Sequence, residues 1–344
     1  MLASRPSMGH AEKQISVETP ASDDATDMTP TPDEPALPDK SATKVLITGA
    51  SGFVGTATTA SFASTDADVI ATSRSSRQQE AHGSLPVDAT SIDAMTACIE
   101  EHRPSHLVML AWPTDVGTRD HMVFTPWLEN IVPLMRAFAA NGGQRFVGIG
   151  SCMEYDWEQA SPLSEATPLR PGTEYGRSKA AAFEHVSTEA DRSGLSWGWA
   201  RPFFLYGPRE PQRRLIPDVV TSLLKGEDVH CTEGLQYRDF LHVDDVGAAI
   251  ASFAVSEIDG PMNIASGSGI QVRELVKIFA ERLERPDLVK FGARPLQGYE
   301  APEVVADVTT LNQTLGFSPS VPMDAGVDLT IEWWRNELLQ TGEL

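Results

Sequence analysis

KVLITGASGFVG, the stretch from Lys44 to Gly55, joins an apolar run to three glycines spaced three residues apart. The run predicts a buried parallel strand. The glycines at 49 and 52 let the backbone turn sharply and approach a pyrophosphate at a helix N-terminus, while Gly55 lets that helix pack on its strand. An ordinary strand-to-helix turn can carry the same triplet. However, an amphipathic segment from Phe53 to Phe62 and a second apolar run from Asp68 to Thr72 follow at the spacing of one βαβ unit. The stretch therefore predicts a dinucleotide site.

Composition limits the class of protein. The chain has 344 residues, of which 41% are apolar, so it can bury the core of one large domain or of two that share an interface. Its net charge of −21 argues against a nucleic-acid partner, which needs a dense basic face, and against an anionic membrane surface. We expect a globular enzyme that places arginines locally wherever it binds an anion.

The cysteines and the apolar runs indicate the cellular context. Cys98, Cys152 and Cys231 are few and widely separated, which suggests neither a disulfide framework nor a metal cluster. No apolar run approaches the roughly 18 residues of a membrane span, and residues 1–40 lack the apolar core of a secretion signal. These features predict a cytoplasmic protein without a metal site. Residues 1–41 contain six prolines and little aliphatic periodicity, so we expect a disordered N-terminal extension.

From Lys44 onward, strand-like runs alternate with helical patterns, which is typical of a doubly wound α/β fold of the Rossmann type with a parallel sheet. After Tyr206-Gly207-Pro208 the pattern changes to helical segments separated by short strands. We predict a nucleotide-binding Rossmann domain over 42–205, with later segments returning to it, and a smaller, mainly substrate-binding lobe over 206–344. The predicted elements are strands at 106–111, 145–149 and 195–201 and helices at 127–140, 175–190, 215–224, 244–255, 272–283 and 325–339.

Three side chains suggest acid–base chemistry. Tyr175 and Lys179 are four residues apart in a helical stretch and therefore share one face. A phenol has a pKa of about 10, and a neighbouring ammonium favours the phenolate. Lys179 can also hydrogen-bond the ribose of a bound cofactor. Ser151 follows the predicted strand at 145–149, where ligands bind in open α/β sheets, so its hydroxyl can orient a carbonyl or an alcohol.

Together these features resemble the extended short-chain dehydrogenase/reductases, which comprise nucleotide-sugar epimerases, dehydratases and ketoreductases. The resemblance covers roughly residues 43–335. The matching pieces are TGxxGxxG at 48–55, Asp88, Leu110-Ala111, Ser151, Tyr155, YxxxK at 175–179, RPFFLYGP at 201–208 and GxxxRDFxxVDD at 234–245. For Tyr155 and Asp245 we favour structural roles over direct ligand contact, Tyr155 as a pocket wall and Asp245 as a cap of the helix that follows it.

The resemblance also implies site residues. Ser151, Tyr175 and Lys179 would be the catalytic residues, with hydride passing to or from C4 of a nicotinamide. Asp88 would meet the adenine. The implied cofactor contacts are Gly49, Ser51, Gly52, Phe53, Val54, Gly55, Arg74, Asp88, Leu110, Ala111, Trp112, Tyr175, Lys179 and Pro202. The implied substrate contacts are Cys152, Met153, Glu154, Phe204, Arg238 and Arg294, of which the two arginines would grip the diphosphate of a nucleotide sugar.

The segment after the second strand bears on the cofactor. An NAD site usually places an acid there to hold the ribose 2′-hydroxyl, whereas this chain runs TSRSSR from Thr72 to Arg77. Arg74 can pair with a 2′-phosphate, with Arg77 as a helper. We therefore predict NADP(H) in preference to NAD(H), and NAD(H) stays open as the alternative. In the resembled family, ketoreductases exchange NADPH at every turnover, whereas epimerases and dehydratases typically keep NAD bound.

The residues after Ser151 bear on the reaction. The family's 4,6-dehydratases carry an Asp-Glu pair there, and this chain has Cys152-Met153, which makes dehydratase chemistry a poor fit. Cys152 has two interpretations, an acid or base in a combined epimerase-reductase and a small buried thiol, of which the second is favoured. Phe204 replaces the asparagine of many relatives, and Trp112 replaces a small residue beside the cofactor. Either change suits an altered substrate such as a deoxysugar.

Three functions stay open at this level. The first is an NADP-dependent reductase of a nucleotide-activated 4-keto-6-deoxyhexose, the second an NAD-dependent nucleotide-sugar epimerase, and the third a Rossmann protein that senses NADP(H) without turnover. The triad argues against the third, since a sensor needs no proton relay. The resemblance also implies a homodimer that pairs through the helices predicted at 127–140 and 175–190.

Overall fold

Seven parallel strands form the central sheet of the computed structural model, which describes residues 43–74, 84–114, 121–296 and 300–344. The predicted N-terminal extension and Arg77 lie outside these ranges. In sheet order the strands are β10 (Gly260–Ile264), β6 (Ser196–Pro202), β5 (Arg145–Ile149), β4 (His106–Met109), β1 (Lys44–Thr48), β2 (Asp68–Ser73) and β3 (Leu85–Pro86). The chain passes from β1 outward through β2 to β3 and then returns to place β4 on the other side of β1. This reversal opens a crevice at the carboxyl ends of β1 and β4, where open α/β sheets bind their ligands.

Helices cover both faces of the sheet and bury its aliphatic strands. One face packs against α2 (Ile92–His102), α3 (Thr125–Ala140) and α4 (Glu174–Ser193) around a core that includes Ile99, Phe138 and Val186. The other face packs against α1 (Phe53–Phe62) and α6 (Val243–Ala254). Because both faces are covered, the strands are nearly continuous apolar runs rather than alternating ones.

Helices α1 and α6 touch so closely that a glycine is required between them. A Cβ added at Gly247 would lie 2.4 Å from the carbonyl carbon of Ala57. Helix α6 therefore belongs to the Rossmann layer, and β10 extends the same sheet. These two segments of the second half of the chain therefore pack with the elements of the first half.

The remaining elements form a smaller lobe with its own core. Strand β9 (Tyr237–His242) pairs with β7 (Phe204–Tyr206), β11 (Gly269–Gln271) and β13 (Glu303–Val304), and β8 (Val229–His230) pairs with β12 (Val289–Lys290). The helices of this lobe are α5 (Leu215–Lys225), α7 (Val272–Arg282) and α8 (Met323–Thr341). They enclose a core that includes Val220, Phe279 and Trp334.

The predicted fold class is confirmed, and most predicted elements appear within a few residues of their expected bounds. Two expectations about single side chains are wrong. Asp245 does not cap α6, which begins after His242; its carboxylate instead accepts the backbone N–H groups of Ser320 and Val321 at 2.8 and 3.0 Å and so holds the loop before α8. Tyr155 is not a pocket wall, because it is buried and its hydroxyl donates to the side-chain oxygen of Asn263 at 2.7 Å.

No helix in the described ranges is both long and apolar enough to cross a membrane. Cys98, Cys152 and Cys231 are all buried and unpaired.

Candidate active site

The glycine turn after β1 is shaped by steric contacts that exclude any larger side chain. Gly49 has a φ of +70°, and a Cβ there would lie 2.8 Å from the backbone of Ala111 at the end of β4. A Cβ at Gly55 would lie 2.0 Å from the carbonyl oxygen of Gly49. Helix α1 begins after Gly52, and within the described residues no side chain caps it with a hydrogen bond. This is the backbone cradle that a pyrophosphate needs.

A cleft of about 460 Å³ opens at this turn, at the crevice between β1 and β4. Its lining consists of Gly49, Ser51, Gly52, Ser73, Arg74, Val87, Ala89, Leu110, Ala111, Trp112 and Trp127. The lining includes half of the predicted cofactor residues. The cradle and the cleft together fit a dinucleotide whose pyrophosphate lies at the start of α1.

Other predicted cofactor residues lie outside this lining. Phe53, Val54 and Gly55 form the first turn of α1, and Pro202 is buried at the end of β6. Asp88 is exposed and accepts the backbone N–H and the hydroxyl of Thr90. Those bonds, the backbone one above all, lower the pKa of its carboxyl, and the Arg74 guanidinium adds to this. Lys179 and Tyr175 border the cleft through Trp112, described below.

Helix α4 brings the predicted acid–base residues together. It begins after Thr173, whose hydroxyl accepts the backbone N–H of Gly176 at 3.0 Å, so Tyr175 and Lys179 fall in its first two turns. The Lys179 ammonium donates to the carbonyl of Ile149 at 2.7 Å, two residues before Ser151. The Ser151 hydroxyl in turn interacts with the Tyr175 phenol. The triad expected from the sequence therefore converges at the carboxyl end of β5.

Burial changes the acidity of this triad. It raises the pKa of Tyr175, an effect that the Arg214 guanidinium and the Ser151 hydroxyl oppose and that Glu154 and Cys152 reinforce. Burial also lowers the pKa of Lys179 to about 7, against the opposing pull of the Glu154 carboxylate. Lys179 therefore changes between its charged and its neutral form near neutral pH.

An aromatic cluster forms the wall between the triad and the cleft. The Lys179 ammonium lies 4.0 Å from the ring centroid of Trp112, which itself stacks against Phe124 and packs at a tilt against Trp127. Phe124 packs edge-on against Tyr175 with ring centroids 6.2 Å apart. The ring of Trp112 therefore makes an ordered cation–π contact with the ammonium of Lys179.

The predicted substrate side contains one arginine held between aromatic rings. The Arg238 guanidinium lies 5.7 Å from the ring centroid of Trp157 and 5.4 Å from that of Phe204. It donates to Glu300 at 3.1 Å and to the carbonyl of Ala301 at 2.9 Å. Arg238 is thus buried and fixed in direction. Arg294 is exposed, after β12, where its backbone N–H donates to the carbonyl of Cys231.

The three residues after Ser151 have different environments. Cys152 is buried, and this burial raises the pKa of its thiol to about 12, which leaves no thiolate to act as a base. Met153 is partly exposed beside the start of α4, where its carbonyl leaves no room for a side chain at Gly176.

The expectation that Glu154 contacts substrate is wrong. Its side chain is 0% exposed, and both carboxylate oxygens accept hydrogen bonds from the protein. Because no oxygen of Glu154 reaches solvent, the site has one fewer acid for substrate than the sequence indicated.

Sequence reasoning missed several residues of the site. Trp127, Val87 and Ala89 line the cleft, yet their spacing indicates only core positions. Trp157 follows the predicted strand end by eight residues and carries no motif. Arg214 influences Tyr175 from the other lobe, and only a contact across the fold could reveal it.

The fold and its cleft define an enzyme of the Rossmann type that uses a nicotinamide cofactor. Residues 45–265 match the model of the NAD dependent epimerase/dehydratase family, and the chain belongs to that family. The relatives that it resembles are nucleotide-sugar epimerases, dehydratases and reductases, and the chain is an enzyme of this kind.

Three curated relatives show the range of activities. A dTDP-glucose 4,6-dehydratase of Streptomyces griseus is 30% identical over 61% of this chain and 66% of its own length. A UDP-glucose 4-epimerase of Corynebacterium glutamicum is 25% identical over 80% of this chain and 91% of its own. A dTDP-4-dehydro-6-deoxy-D-allose reductase of a Streptomyces species is 23% identical over 85% of this chain and 96% of its own.

Solved structures share the fold. MoeE5 in complex with UDP-glucuronic acid and NAD superposes with a TM-score of 0.72 at 29% identity, covering 86% of this chain and 100% of that chain. The UDP-glucose 4-epimerase of Thermotoga maritima superposes with a TM-score of 0.78 at 22% identity, covering 86% of this chain and 99% of that chain.

Proposed function

We propose that the protein is an NADP-dependent reductase of a nucleotide-activated 4-keto-6-deoxyhexose, active in the cytoplasm. The observation that carries this proposal is Arg74, which lines the cleft at the end of β2, where an NAD site would usually present an acid. A guanidinium there can pair with the ribose 2′-phosphate of NADP, a charge-assisted contact worth roughly 1.5 to 3 kcal/mol.

The residues of the cleft have distinct roles toward the cofactor. The turn at Gly49 and Gly52 would hold the pyrophosphate, Arg74 the 2′-phosphate, and Lys179 the nicotinamide ribose. When bound, the nicotinamide supplies the hydride of the reduction. The small lobe would bind the nucleotide sugar.

The proton follows a separate route through the protein's own groups. The Ser151 hydroxyl would orient the keto oxygen of the sugar, and the Tyr175 hydroxyl would donate its proton to that oxygen as the C–O bond becomes single. The Lys179 ammonium would then stabilise the Tyr175 phenolate. The bond from Lys179 to the carboxyl end of β5 and the effect of Ser151 on Tyr175 support this route.

Two features favour a reductase that acts on a deoxysugar. Cys152 and Met153 stand where the dehydratases of the family carry an acid pair, and neither can protonate a leaving hydroxyl at neutral pH. Trp157 and Phe204 pack with ring centroids 6.3 Å apart and give the substrate side an apolar wall that suits a sugar methyl group. A curated relative with high coverage is a reductase of a dTDP-4-dehydro-6-deoxy sugar.

The second candidate is a nucleotide-sugar epimerase with tightly held NAD, favoured by the high coverage of the UDP-glucose 4-epimerases among the relatives. Denaturing the purified protein and identifying the released nucleotide separates the two. We expect little retained nucleotide, and what is retained to be NADP(H). Stoichiometric NAD would instead identify the epimerase. A protein that binds NADP(H) and turns over no nucleotide sugar would be a sensor.

We also propose that two chains pair through the outer faces of α3 and α4. The exposed positions of these helices are Pro126, Glu129, Pro133, Arg136, Ala140, Arg177, Glu184, His185, Thr188, Asp191, Arg192 and Ser193. Arg136 of α3 and Glu189 of α4 form two hydrogen bonds of 2.8 and 2.9 Å, which fix the two helices against each other as one surface.

A further inference from the structure

Glu154 is a buried acid that the reaction as described does not use. Its Oε1 accepts the backbone N–H of Ser151 at 2.8 Å and the indole N–H of Trp199 at 3.0 Å. Its Oε2 accepts Nε of Arg201 at 2.8 Å. The carboxylate is therefore bonded directly to the main chain of the serine that carries the proposed substrate-orienting hydroxyl.

Arg201 completes an ion pair with no access to water. Its side chain is 1% exposed, and its guanidinium lies 4.6 Å from the ring centroid of Phe183 and 5.0 Å from that of Tyr155. Its second nitrogen donates to the Tyr155 hydroxyl at 3.3 Å. Burying two charges costs several kcal/mol each, and apolar residues of the same volume often stabilise a fold as well or better. Stability alone therefore does not account for this pair.

Five titratable or charged groups interact with Glu154, and they come from its own turn, from α4 and from β6. Cys152 and Tyr155 belong to its own turn, Tyr175 and Lys179 to α4, and Arg201 to β6. Two of these five are the phenol and the ammonium of the proposed relay. At this site the negative charge of Glu154 raises the pKa of Lys179, whereas burial lowers it. Without that charge, the ammonium would lose its proton at a lower pH.

We propose that Glu154 is a positioning residue of the relay: its carboxylate fixes the main chain of Ser151, and its negative charge stabilises the ammonium of Lys179. The inference rests on the proposed catalytic role of Ser151, Tyr175 and Lys179. Trp199 and Arg201 are the neighbours that hold the carboxylate in place from β6.

Two double variants separate this role from simple stability. In E154Q/R201M, the glutamine carbonyl can still accept the N–H groups of Ser151 and Trp199, while both charges of the ion pair are removed. In E154L/R201M, the bonds to Ser151 and Trp199 are lost as well. Removing both partners avoids the unpaired buried charge that a single substitution would leave. The variant E154D keeps the charge and serves as the conservative rescue.

The first readout is the protonation of Lys179 in the whole protein. It is measured as a pH titration of the 13Cε chemical shift in lysine-labelled samples, and the Lys179 signal is assigned as the one that Lys179→Gln removes. It needs no substrate, so it decides the inference even where wild-type turnover fails. We expect the midpoint to fall by about one pH unit or more in both double variants and to stay near the wild-type value in E154D. The second readout is the pH profile of kcat, whose alkaline limb we expect to move with that midpoint, with a further loss of kcat in E154L/R201M.

The control is Asp259→Asn, which removes the partner of another buried arginine, Arg145, at the opposite end of β5. It tests whether a lost ion pair by itself changes the relay, and we expect it to lower the melting temperature without moving the Lys179 midpoint. The inference is overturned by folded double variants with an unchanged midpoint. It is also overturned if Asp259→Asn or E154D moves the midpoint as far as the double variants do.

Discussion

Two cations of different kinds, Lys179 and Arg214, interact with Tyr175. Lys179 is buried and its pKa is lowered to about 7, so its charge depends on pH near neutrality. Arg214, at the start of α5, opposes the raised pKa of Tyr175 and donates to the carbonyl of Thr114 at 3.2 Å. The lobe that would bind the sugar thus contributes a positive charge to the phenol of the other domain. Single residues of this kind, distant in sequence, set the acidity of the site.

Arg74 tests the choice of cofactor at the scale of one residue. We expect Arg74→Ala to raise the Michaelis constant for NADPH by roughly ten- to a hundredfold, because the 2′-phosphate loses a charge-assisted partner. The constant for NADH should change by less than about threefold, since NADH has no such phosphate. Steady-state kinetics with both cofactors measures this, and Arg103→Ala, on a solvent-exposed arginine after α2, is the control. Equal effects on both cofactors would contradict the proposed preference.

At the scale of elements, periodicity and turn residues predicted the fold well, while side-chain partners could not be predicted. The run at 44–48 and the glycines after it became β1 and the start of α1 because both depend on local chemistry. The YxxxK spacing likewise needs only one helix. Glu154 was misassigned because its partners, Trp199 and Arg201, come from a strand some 45 residues later. Arg214 and Trp157 had no detectable signal for the same reason.

The contact between α1 and α6 makes a prediction about packing. Gly247→Ala would place a methyl group 2.4 Å from the backbone of Ala57, so the two helices must separate. We expect a loss of roughly 1 to 3 kcal/mol in the free energy of unfolding, measured by urea denaturation. Gly172→Ala is the matched control, because a Cβ there meets nothing within 4 Å. A Gly247→Ala protein as stable as the control would show that this contact is looser than described.

The loop between β7 and α5 makes a prediction about pH. Glu210 is buried there, and burial raises the pKa of its carboxyl to about 8, so the folded state holds this proton between roughly pH 4.5 and 8 whereas the unfolded state releases it. Stability from this group is therefore present at low pH and lost as the pH rises through 8.

Substituting Glu210→Gln removes that loss. Relative to wild type, we expect the melting temperature of the variant to rise with pH, by several degrees between pH 5 and pH 9. Thermal melts of both proteins across this range measure the difference. Taking the difference between the two proteins also removes the contribution of Lys179 to stability. Because its pKa is lowered, that contribution changes with the opposite sign above pH 7. A difference that does not change with pH would contradict the assignment.

At the scale of the whole molecule, the net negative charge bears on how anionic ligands are bound. A net charge of −21 repels phosphate groups in general, so an anionic cofactor and an anionic substrate must be captured by local arginines. Arg74 lines the cleft at the sheet, whereas Arg238 is buried between aromatic rings in the small lobe.

The proposed pairing through α3 and α4 predicts the mass of the particle. Light scattering after size exclusion should give twice the 37.3 kDa of one chain. Reversing the charge of an exposed position in α4, as in Glu184→Lys, should weaken the pair and lower the mass, whereas Glu281→Lys in α7 should not. A monomeric wild type would contradict the pairing.

The central claim is tested most directly by NADPH consumption with a nucleotide-linked 4-keto-6-deoxyhexose. This consumption is monitored through the absorbance of the reduced nicotinamide, for wild type and for Tyr175→Phe. We predict turnover by the wild type and a loss on the order of 10² to 10⁴ in kcat for the variant, with NADPH affinity nearly unchanged because phenylalanine keeps the ring and loses only the hydroxyl. No consumption with any nucleotide keto-sugar, or a Tyr175→Phe variant as fast as wild type, would contradict the account.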